Sequence, residues 1–566
     1  MMLSKKSKNN NGITLVALVI SIIILLILAT ISIQALTNTG LFAKAQEAKE
    51  KTKNATENQA KTLNEYEDEL NKYVSGTSQT KTDWTGKVNK PKLMTGMTAI
   101  KFIDPIGDEK ANEGSIVKTT DTDTAWYDYD AKKWANAQTQ DGSMWVWIPR
   151  FAYKVNSSTQ TFDVVFLEGT TDYYYENGER KEAKRQKTEN ETIDTTTGYT
   201  VHPAFTNESS INYANGGWDK ELTGIWVSKF EAGYASGNNS ATVAESSVKY
   251  TQASVVALEG WTTARNYFDG EYWEKNGDSY QFKNGVAPSI KYPIFQGLTY
   301  SMNYINQNDA FNVSKKLTEN GNIYGLSSNS TDSHLIKNSE WGAVAYLSQS
   351  KYGLNGANIY INNVNLNNTI QSVYAVTGCA GATENASAVA TTITELNNRT
   401  TSGVYVWTQK SGTKASTTGT IYGIYDMSGG TWERTAGLVN NGNENLTKYG
   451  QSLMNALNNG KSSKYVTVYP HDSSVDKNGT NINIASAANW RTNTKIYGDG
   501  IRETSTAGIE KASWYGDYSY FSAVDNPFSI RGGAYWDTDG AGLLFFYRVT
   551  GLSDYGGGFR SVLVTQ

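Results

Sequence analysis

Hydrophobic and polar positions along the chain fall into three textures. Residues 13–33 form an apolar run with no charged side chain. A helix rises 1.5 Å per residue, so about 20 apolar residues cross the ~30 Å hydrocarbon core of a bilayer, and the run predicts a membrane-spanning helix. From Gln34 to Val74 the chain is rich in Lys, Glu, Ala and Gln and lacks proline, with Leu63, Tyr66, Leu70 and Tyr73 at helical spacing. This predicts that the helix continues as a stalk, with Gly40 as the place for a bend. Residues 75–92 are rich in Ser, Thr, Gly and Lys without periodicity and read as a linker.

Beyond the linker the pattern becomes that of short strands between turns. Runs such as SMWVWI (143–148), GIWVS (224–228) and GVYVW (403–407) alternate with Gly, Asn, Asp and Ser clusters. One segment, Asn338 to Ser348, reads as a helix, with an apolar stripe in Trp341, Val344, Ala345 and Leu347 begun by a polar cap region. The expected fold is therefore α+β, an N-terminal helix followed by a loop-rich head. The head divides into an N-terminal extension (93–142) and one elaborated domain (143–566). Thr- and Asn-rich stretches near Glu189–Thr197 and Asn362–Thr369 read as surface insertions.

Composition narrows the chemistry. The 566 residues carry a formal charge of −4, which provides no basic stripe to track phosphates and argues against nucleic acid as a partner. A single cysteine, Cys379, excludes an intramolecular disulfide, a four-thiolate zinc site and two-cysteine redox chemistry within the chain. The small-residue context of Cys379 predicts buried packing or a turn. His202, His334 and His471 are widely spaced and are expected to be structural rather than metal ligands. Asp121/Asp123, Asp128/Asp130 and Asp537/Asp539 are carboxylate pairs of the kind calcium takes, yet none has a full loop of oxygen ligands. Solvated turns are expected there and no cofactor, a structural calcium ion being the one metal left open. What stands out is 36 Tyr and 15 Trp, residues that suit recognition surfaces as well as cores.

Two resemblances organise these observations. The basic leader with Lys5, Lys6 and Lys8, then Gly12-Ile13-Thr14-Leu15-Val16-Ala17 opening the apolar run, resembles the class III signal of type IV prepilins and pseudopilins. The resemblance implies a leader at 1–12, cleavage by prepilin peptidase after Gly12, methylation of Ile13, and a transmembrane and stalk helix over 13–74. Ala17 stands where that family carries a glutamate, which points to a minor or tip subunit or an anchor rather than a bulk pilus subunit. The implied location is single-pass in the cell membrane through residues 13–33 with an extracellular head, other pilin-like subunits being partners if the chain enters a filament.

The head resembles the formylglycine-generating-enzyme (sulfatase-modifying factor) family, whose domain is a decorated C-type-lectin fold. The resemblance rests on MWVWIP (144–149), GIWVSKFE (224–231), NSEWGAVAY (338–346), IYDMSGGTWE (424–433), IRGG (530–533) and GFR (558–560), in that order. In the copper enzymes of the family two cysteines follow the Arg-Gly-Gly motif; the matching positions here are Asp537 and Gly542. Without a thiolate pair, formylglycine generation lacks its soft metal ligands, and a non-enzymatic role is expected. The same fold carries the variable proteins of diversity-generating retroelements, in which the segment before a Gly-Phe-Arg ending displays altered residues. On that resemblance residues 534–558 are the ligand-binding, variable segment, and Tyr535, Trp536, Asp537, Thr538, Asp539, Tyr547, Arg548, Val549, Leu552, Ser553, Asp554 and Tyr555 face a protein or glycan ligand. Arg531, Gly532, Gly533, Gly540, Gly542, Phe559 and Arg560 are the scaffold.

Overall fold

The computed structural model describes residues 89–566, apart from 189–190, 208–214, 235–272, 277–278, 283–291, 304, 367–373 and 555. The chain divides into two compact units, Met1–Thr82 and Asp83–Gln566, and every described residue belongs to the second. The processing site Gly12/Ile13, the apolar run 13–33, the stalk and the linker up to residue 88 lie outside the described residues. Among the described residues no helix is long and apolar enough to cross a membrane.

The head is mixed α+β, organised on two main sheets. The first has seven strands. In chain order they are β1 (Thr98–Ile103), β2 (Ser115–Lys118), β3 (Asn136–Gln138), β4 (Met144–Pro149), β5 (Gly224–Ser228), β6 (Thr331–Leu335) and the carboxy-terminal Ser561–Thr565. They lie in the order β6, Ser561–Thr565, β5, β4, β3, β1, β2. The central strands are buried on both faces, as their continuous apolar runs require: Trp147 lies opposite Trp226, Ile148 opposite Ile225, and Val562 pairs with both Val227 and His334. Residues 93–142, read from sequence as an extension, supply three of these seven strands.

Helix α1 (Asn338–Ser348) is buried along its whole length. The sequence placed this element correctly, and its first turn is capped by the Glu340 carboxylate, which accepts from the Lys337 backbone N–H at 2.9 Å.

The second sheet holds β7 (Trp432–Val439), β8 (Thr467–Tyr469), β9 (Phe528–Gly532), β10 (Gly542–Val549) and β11 (Gly557–Phe559). Its order is β8, β7, β9, β10, with β11 alongside the start of β7. Ser561–Thr565, now β12, follows β11 after one residue, Arg560, so the last strands of the chain belong to different sheets.

Two expectations are corrected. The linker ends before residue 92: the Asn89 amide donates to the Leu167 carbonyl at 3.1 Å, Trp147 Nε1 donates to the Asn89 carbonyl at 3.1 Å and Trp226 Nε1 to the Lys92 carbonyl at 2.8 Å. Buried indoles need an acceptor, and these two take it from the entering chain. The strand foreseen at 403–407 shortens to Tyr405–Val406, paired with Cys379–Ala380. Cys379 is buried as foreseen, and burial pushes its thiol pKa well up.

Candidate binding face

Five of the six segments that carry the resemblance, all but 144–149, place residues in a buried polar seam. Arg560 Nε donates to Glu433 at 2.6 Å, with Nη2 on the other carboxylate oxygen, while Nη1 reaches the Ser228 carbonyl at 3.0 Å and Nη2 the Tyr425 carbonyl at 2.9 Å. One guanidinium thus ties β7 to β5. Lys229 Nζ donates to Asn136 Oδ1 and the carbonyls of Ile421 and Gly423 at 2.7–3.0 Å, which uses all three ammonium donors. Glu231 accepts from the hydroxyls of Ser301 and Thr431, and Asp426 from Asn362 Nδ2 and the Gly378 N–H, both at 2.8 Å. Trp341 lies with the guanidinium carbons of Arg531 and Arg560 each 5.6 Å from its ring centroid and donates to the Leu543 carbonyl at 2.8 Å. Burial pushes the Asp426 carboxyl up to about 6 and that of Glu433 up to about 7, both against the pull of Arg560; burial together with the neighbouring Asp426 and Glu433 holds Glu231 well above the usual carboxylate range. Arg531 donates from Nε to the Phe545 carbonyl at 2.7 Å and from Nη1 to the Asp499 carbonyl at 2.9 Å. Arg531 Nη2 is left without a hydrogen-bond partner among the described residues, while the other bonds named tie these side chains to one another or to the backbone.

Positions 537 and 542 are both braced by a carboxyl group. Asp537 accepts from Trp432 Nε1 at 2.6 Å and from the Ala534 N–H at 2.9 Å, so its carboxylate braces the turn after β9. At Gly542 the space a Cβ would take is occupied by the carboxyl group of Asp517, which accepts the Leu544 N–H at 2.9 Å. Asp517 is fully buried, and burial holds its carboxyl pKa well above the usual range. Any side chain at 542 collides with it.

The edge of β10 carries a partly exposed aromatic patch. Residues 518–520 run along this strand: Tyr518 N–H donates to the Gly540 carbonyl, Phe546 N–H to the Tyr518 carbonyl and Tyr520 N–H to the Phe546 carbonyl, at 2.9–3.0 Å. The Tyr520 and Tyr547 rings lie 4.8 Å apart at 54°, Tyr518 and Tyr520 6.1 Å apart, and Tyr547 stacks at 6.1 Å on the buried Phe545. Gly540 leaves the room in which the Tyr518 ring rests against the backbone. Lys511 pairs with Asp539 at 2.6 Å and lies over Tyr518.

The sequence-assigned set separates on this framework. Tyr547 is in the patch, and Asp539 and Leu552 are exposed, Leu552 at 43%. Trp536, Thr538, Ser553 and Asp554 are half-buried, with Trp536 edge-on to Trp432 at 5.0 Å. Four residues foreseen as ligand-facing serve the scaffold instead. Tyr535 is 4% exposed; Arg548 is 6% exposed, with Nη2 on Asn483 Oδ1 at 2.7 Å; Val549 packs against the main core; and Asp537 is spent internally. Tyr555 lies outside the described residues. Tyr518 and Tyr520 were missed, although their i, i+2 spacing in WYGDYSYF (514–521) marks one face of an extended segment.

The remaining candidates are engaged within the protein, except His471, whose Nδ1 has no hydrogen-bond partner among the described residues. His202 accepts the Ala204 N–H at 3.3 Å, with its pKa pushed down to about 3 by burial, and His334 Nε2 pairs with both oxygens of Glu340 at 2.9 and 3.1 Å. Asp121 pairs with Lys90 at 3.1 Å and Asp123 with Lys101 at 2.8 Å; Asp128 accepts the Ala131 N–H at 3.2 Å. Among the described residues no group of three His, Cys, Asp or Glu side chains is arranged to hold a metal ion. A groove of about 810 Å³, lined by residues including Lys92, Met94, Glu168 and Gln566, lies where the chain enters the head and involves no residue of the patch. Compared with known proteins, the chain matches no protein-family model and no curated protein sequence.

Proposed function

We propose that the chain is a surface-displayed binding protein, held at the membrane or on a pilus by its N-terminal segment, whose head presents the edge of β10 to a ligand. The head is read as a C-type-lectin-like domain of the formylglycine-generating-enzyme type put to binding rather than catalysis, with 534–558 as a segment suited to retroelement diversification. The observation that carries this reading is the division at the carboxy-terminal face. Asp537 and Asp517 fill the two positions at which a thiolate pair would stand, while Tyr518, Tyr520 and Tyr547 lie beside them with rings partly open. Tyrosine offers large contact area at low side-chain entropy cost, which is the chemistry of a paratope. Oxidation of cysteine-bearing peptides by this chain is therefore not expected.

Two experiments test the reading. N-terminal sequencing of the mature protein gives a methylated Ile13 if the prepilin route anchors it, whereas an intact Met1 removes that part. Full-length protein in detergent, applied to protein and glycan arrays, gives a specific signal that is lost in Tyr520→Ala/Tyr547→Ala; a signal untouched by those changes moves the site elsewhere.

A further inference from the structure

The backbone that carries Tyr518 and Tyr520 is footed on a short acidic loop, residues 498–504. Directly after that loop the chain folds back on itself: Ser505 bridges Ser513, the Trp514 N–H donates to the Thr504 carbonyl at 2.8 Å, and the Thr506 N–H to the Ala512 carbonyl at 3.0 Å. The Ser519 and Phe521 N–H groups in turn donate to the carbonyls of Glu510 and Gly508 at 2.7 and 3.0 Å. Whatever holds residues 498–504 in place therefore also holds the segment on which both tyrosines stand.

Two carboxyls of the loop point into the head. Asp499, 1% exposed, accepts the Tyr469 hydroxyl of β8 at 2.7 Å and the Ile501 N–H at 2.9 Å. Glu503 Oε1 accepts the Gly498 N–H at 2.6 Å and the hydroxyl of Tyr153, on strand Phe151–Asn156, at 3.2 Å. Its Oε2 is buried with no hydrogen-bond partner among the described residues. Tyr346 of α1 faces the same carboxyl and accepts the Gly500 N–H at 3.0 Å, while Tyr497 accepts the Ile193 N–H at 3.1 Å. His202 packs its ring against Tyr153 and Tyr346, at 5.4 and 5.2 Å. Two cations face the pair, yet neither forms an ion pair with it. Arg531 of β9 donates to the carbonyls of Asp499 and Phe545, leaves Nη2 unpartnered, and also faces Asp517. Arg502 stacks on Trp490 at 3.4 Å and donates to the Trp490 carbonyl at 3.3 Å. An ionised Glu503 would thus hold a dehydrated oxygen without a donor, beside a second carboxyl. Burial, with Asp499 adding to it, pushes Glu503 up to about 7, and burial raises Asp499 as well. His202, pushed down to about 3, stays neutral throughout the range in which these carboxyls titrate.

We propose that residues 498–504 are an acid-held clasp on the tyrosine segment, shut while a proton remains on Asp499 or Glu503 and released when both have given their protons to solvent. Its use as a control on the patch rests on the binding reading above; backbone exchange, which involves no ligand, tests the clasp separately. Hydrogen–deuterium exchange of the full-length protein in detergent is followed from pH 5 to pH 8, each rate divided by the intrinsic chemical rate at that pH. A released carboxyl ionises near pH 4 and the clasped one near 7, so opening becomes about tenfold easier between pH 6 and 8. Peptides covering 505–521 are expected to lose protection by that factor while those covering β5 keep theirs. Glu503→Gln, which cannot ionise, removes the step; Asp499→Asn, which relieves the repulsion on Glu503, moves it to lower pH. A parent with no step, a step shared by β5, or an undiminished step in Glu503→Gln overturns the proposal. Should Glu503→Gln be unprotected at every pH, Asp499→Asn decides, and a step left at the parent's pH overturns it.

Discussion

The seam between the sheets and the patch at the edge of β10 are both rich in aromatic and polar side chains, yet they dispose of their polar atoms in opposite ways. In the seam, Arg560 pairs with Glu433 and with two backbone carbonyls, Lys229 donates to Asn136 Oδ1 and two carbonyls, and Asp426 accepts from Asn362 Nδ2 and the Gly378 N–H. In the patch, three hydroxyls stay open. A buried charge without a partner costs several kcal/mol, so the seam tolerates no loss, whereas a half-exposed phenol has water in place of a partner and loses little when removed. The residues of the seam therefore specify the fold, and the half-exposed tyrosines of the patch are free to change without unfolding it.

The strongest way to break this contrast is at Arg560. Arg560→Met leaves Glu433 buried and unpaired, and denaturant unfolding is expected to show a loss of about 3–5 kcal/mol; Arg560→Met with Glu433→Met recovers most of it, because an apolar pair needs no compensation. A loss under 1 kcal/mol in the single variant would show that the seam is not what holds the sheets. Next is Gly542→Ala, which drives a Cβ onto the Asp517 carboxyl and is expected to cost about 1–3 kcal/mol. Asp517→Ala in the same chain recovers part of that loss, the Leu544 N–H remaining unpaired.

The dependence on pH sharpens the contrast further. Burial raises Asp426 to about 6 and Glu433 to about 7, and Glu503 to about 7 with Asp499 adding to the effect. An unfolded carboxyl releases its proton near pH 4. Between about pH 4 and 7 the folded chain therefore holds more protons than the unfolded one, and its stability falls as pH rises through that window, then levels off. His202 works the other way: it stays neutral in the fold down to about 3, so it removes stability as pH falls below about 6.5. Burial raises Glu231 and Asp517 in the same direction, so with these carboxyls against one imidazole the melting temperature is expected to be lower at pH 7.5 than at pH 5, and Glu503→Gln makes the slope shallower. A melting temperature that rises over that range would contradict the protonated state assigned to these buried carboxyls. The smallest effect is expected from Tyr518→Phe and Tyr547→Phe, each within about 0.5 kcal/mol of the parent by denaturant unfolding.

What the sequence disclosed follows the same division. β4, β5 and α1 were legible because their patterns are local: unbroken apolar runs for strands buried on both faces, and a polar cap with an apolar stripe for the helix. The scaffold roles of Arg531, Gly542 and Arg560 were legible as well. Arg548 was misjudged because a strand position shows which face a residue lies on, and not that the first turn of the helix Ile482–Thr492 comes down over that face with Asn483. Asp517 in the space beside Gly542 could not be read at all, since 24 intervening residues separate the carboxyl from the gap it fills. Tyr518 and Tyr520 were legible in their alternation but lay before the window drawn from the family ending.

The most direct measurement is thermal unfolding and binding to protein and glycan arrays, in parallel, on the parent, Tyr518→Ala/Tyr520→Ala/Tyr547→Ala and Arg560→Met. The account predicts that the triple variant melts within a few degrees of the parent and binds nothing, while Arg560→Met melts far lower. A triple variant that melts as low as Arg560→Met would make the patch part of the core, and one that binds as the parent does would remove it as the site.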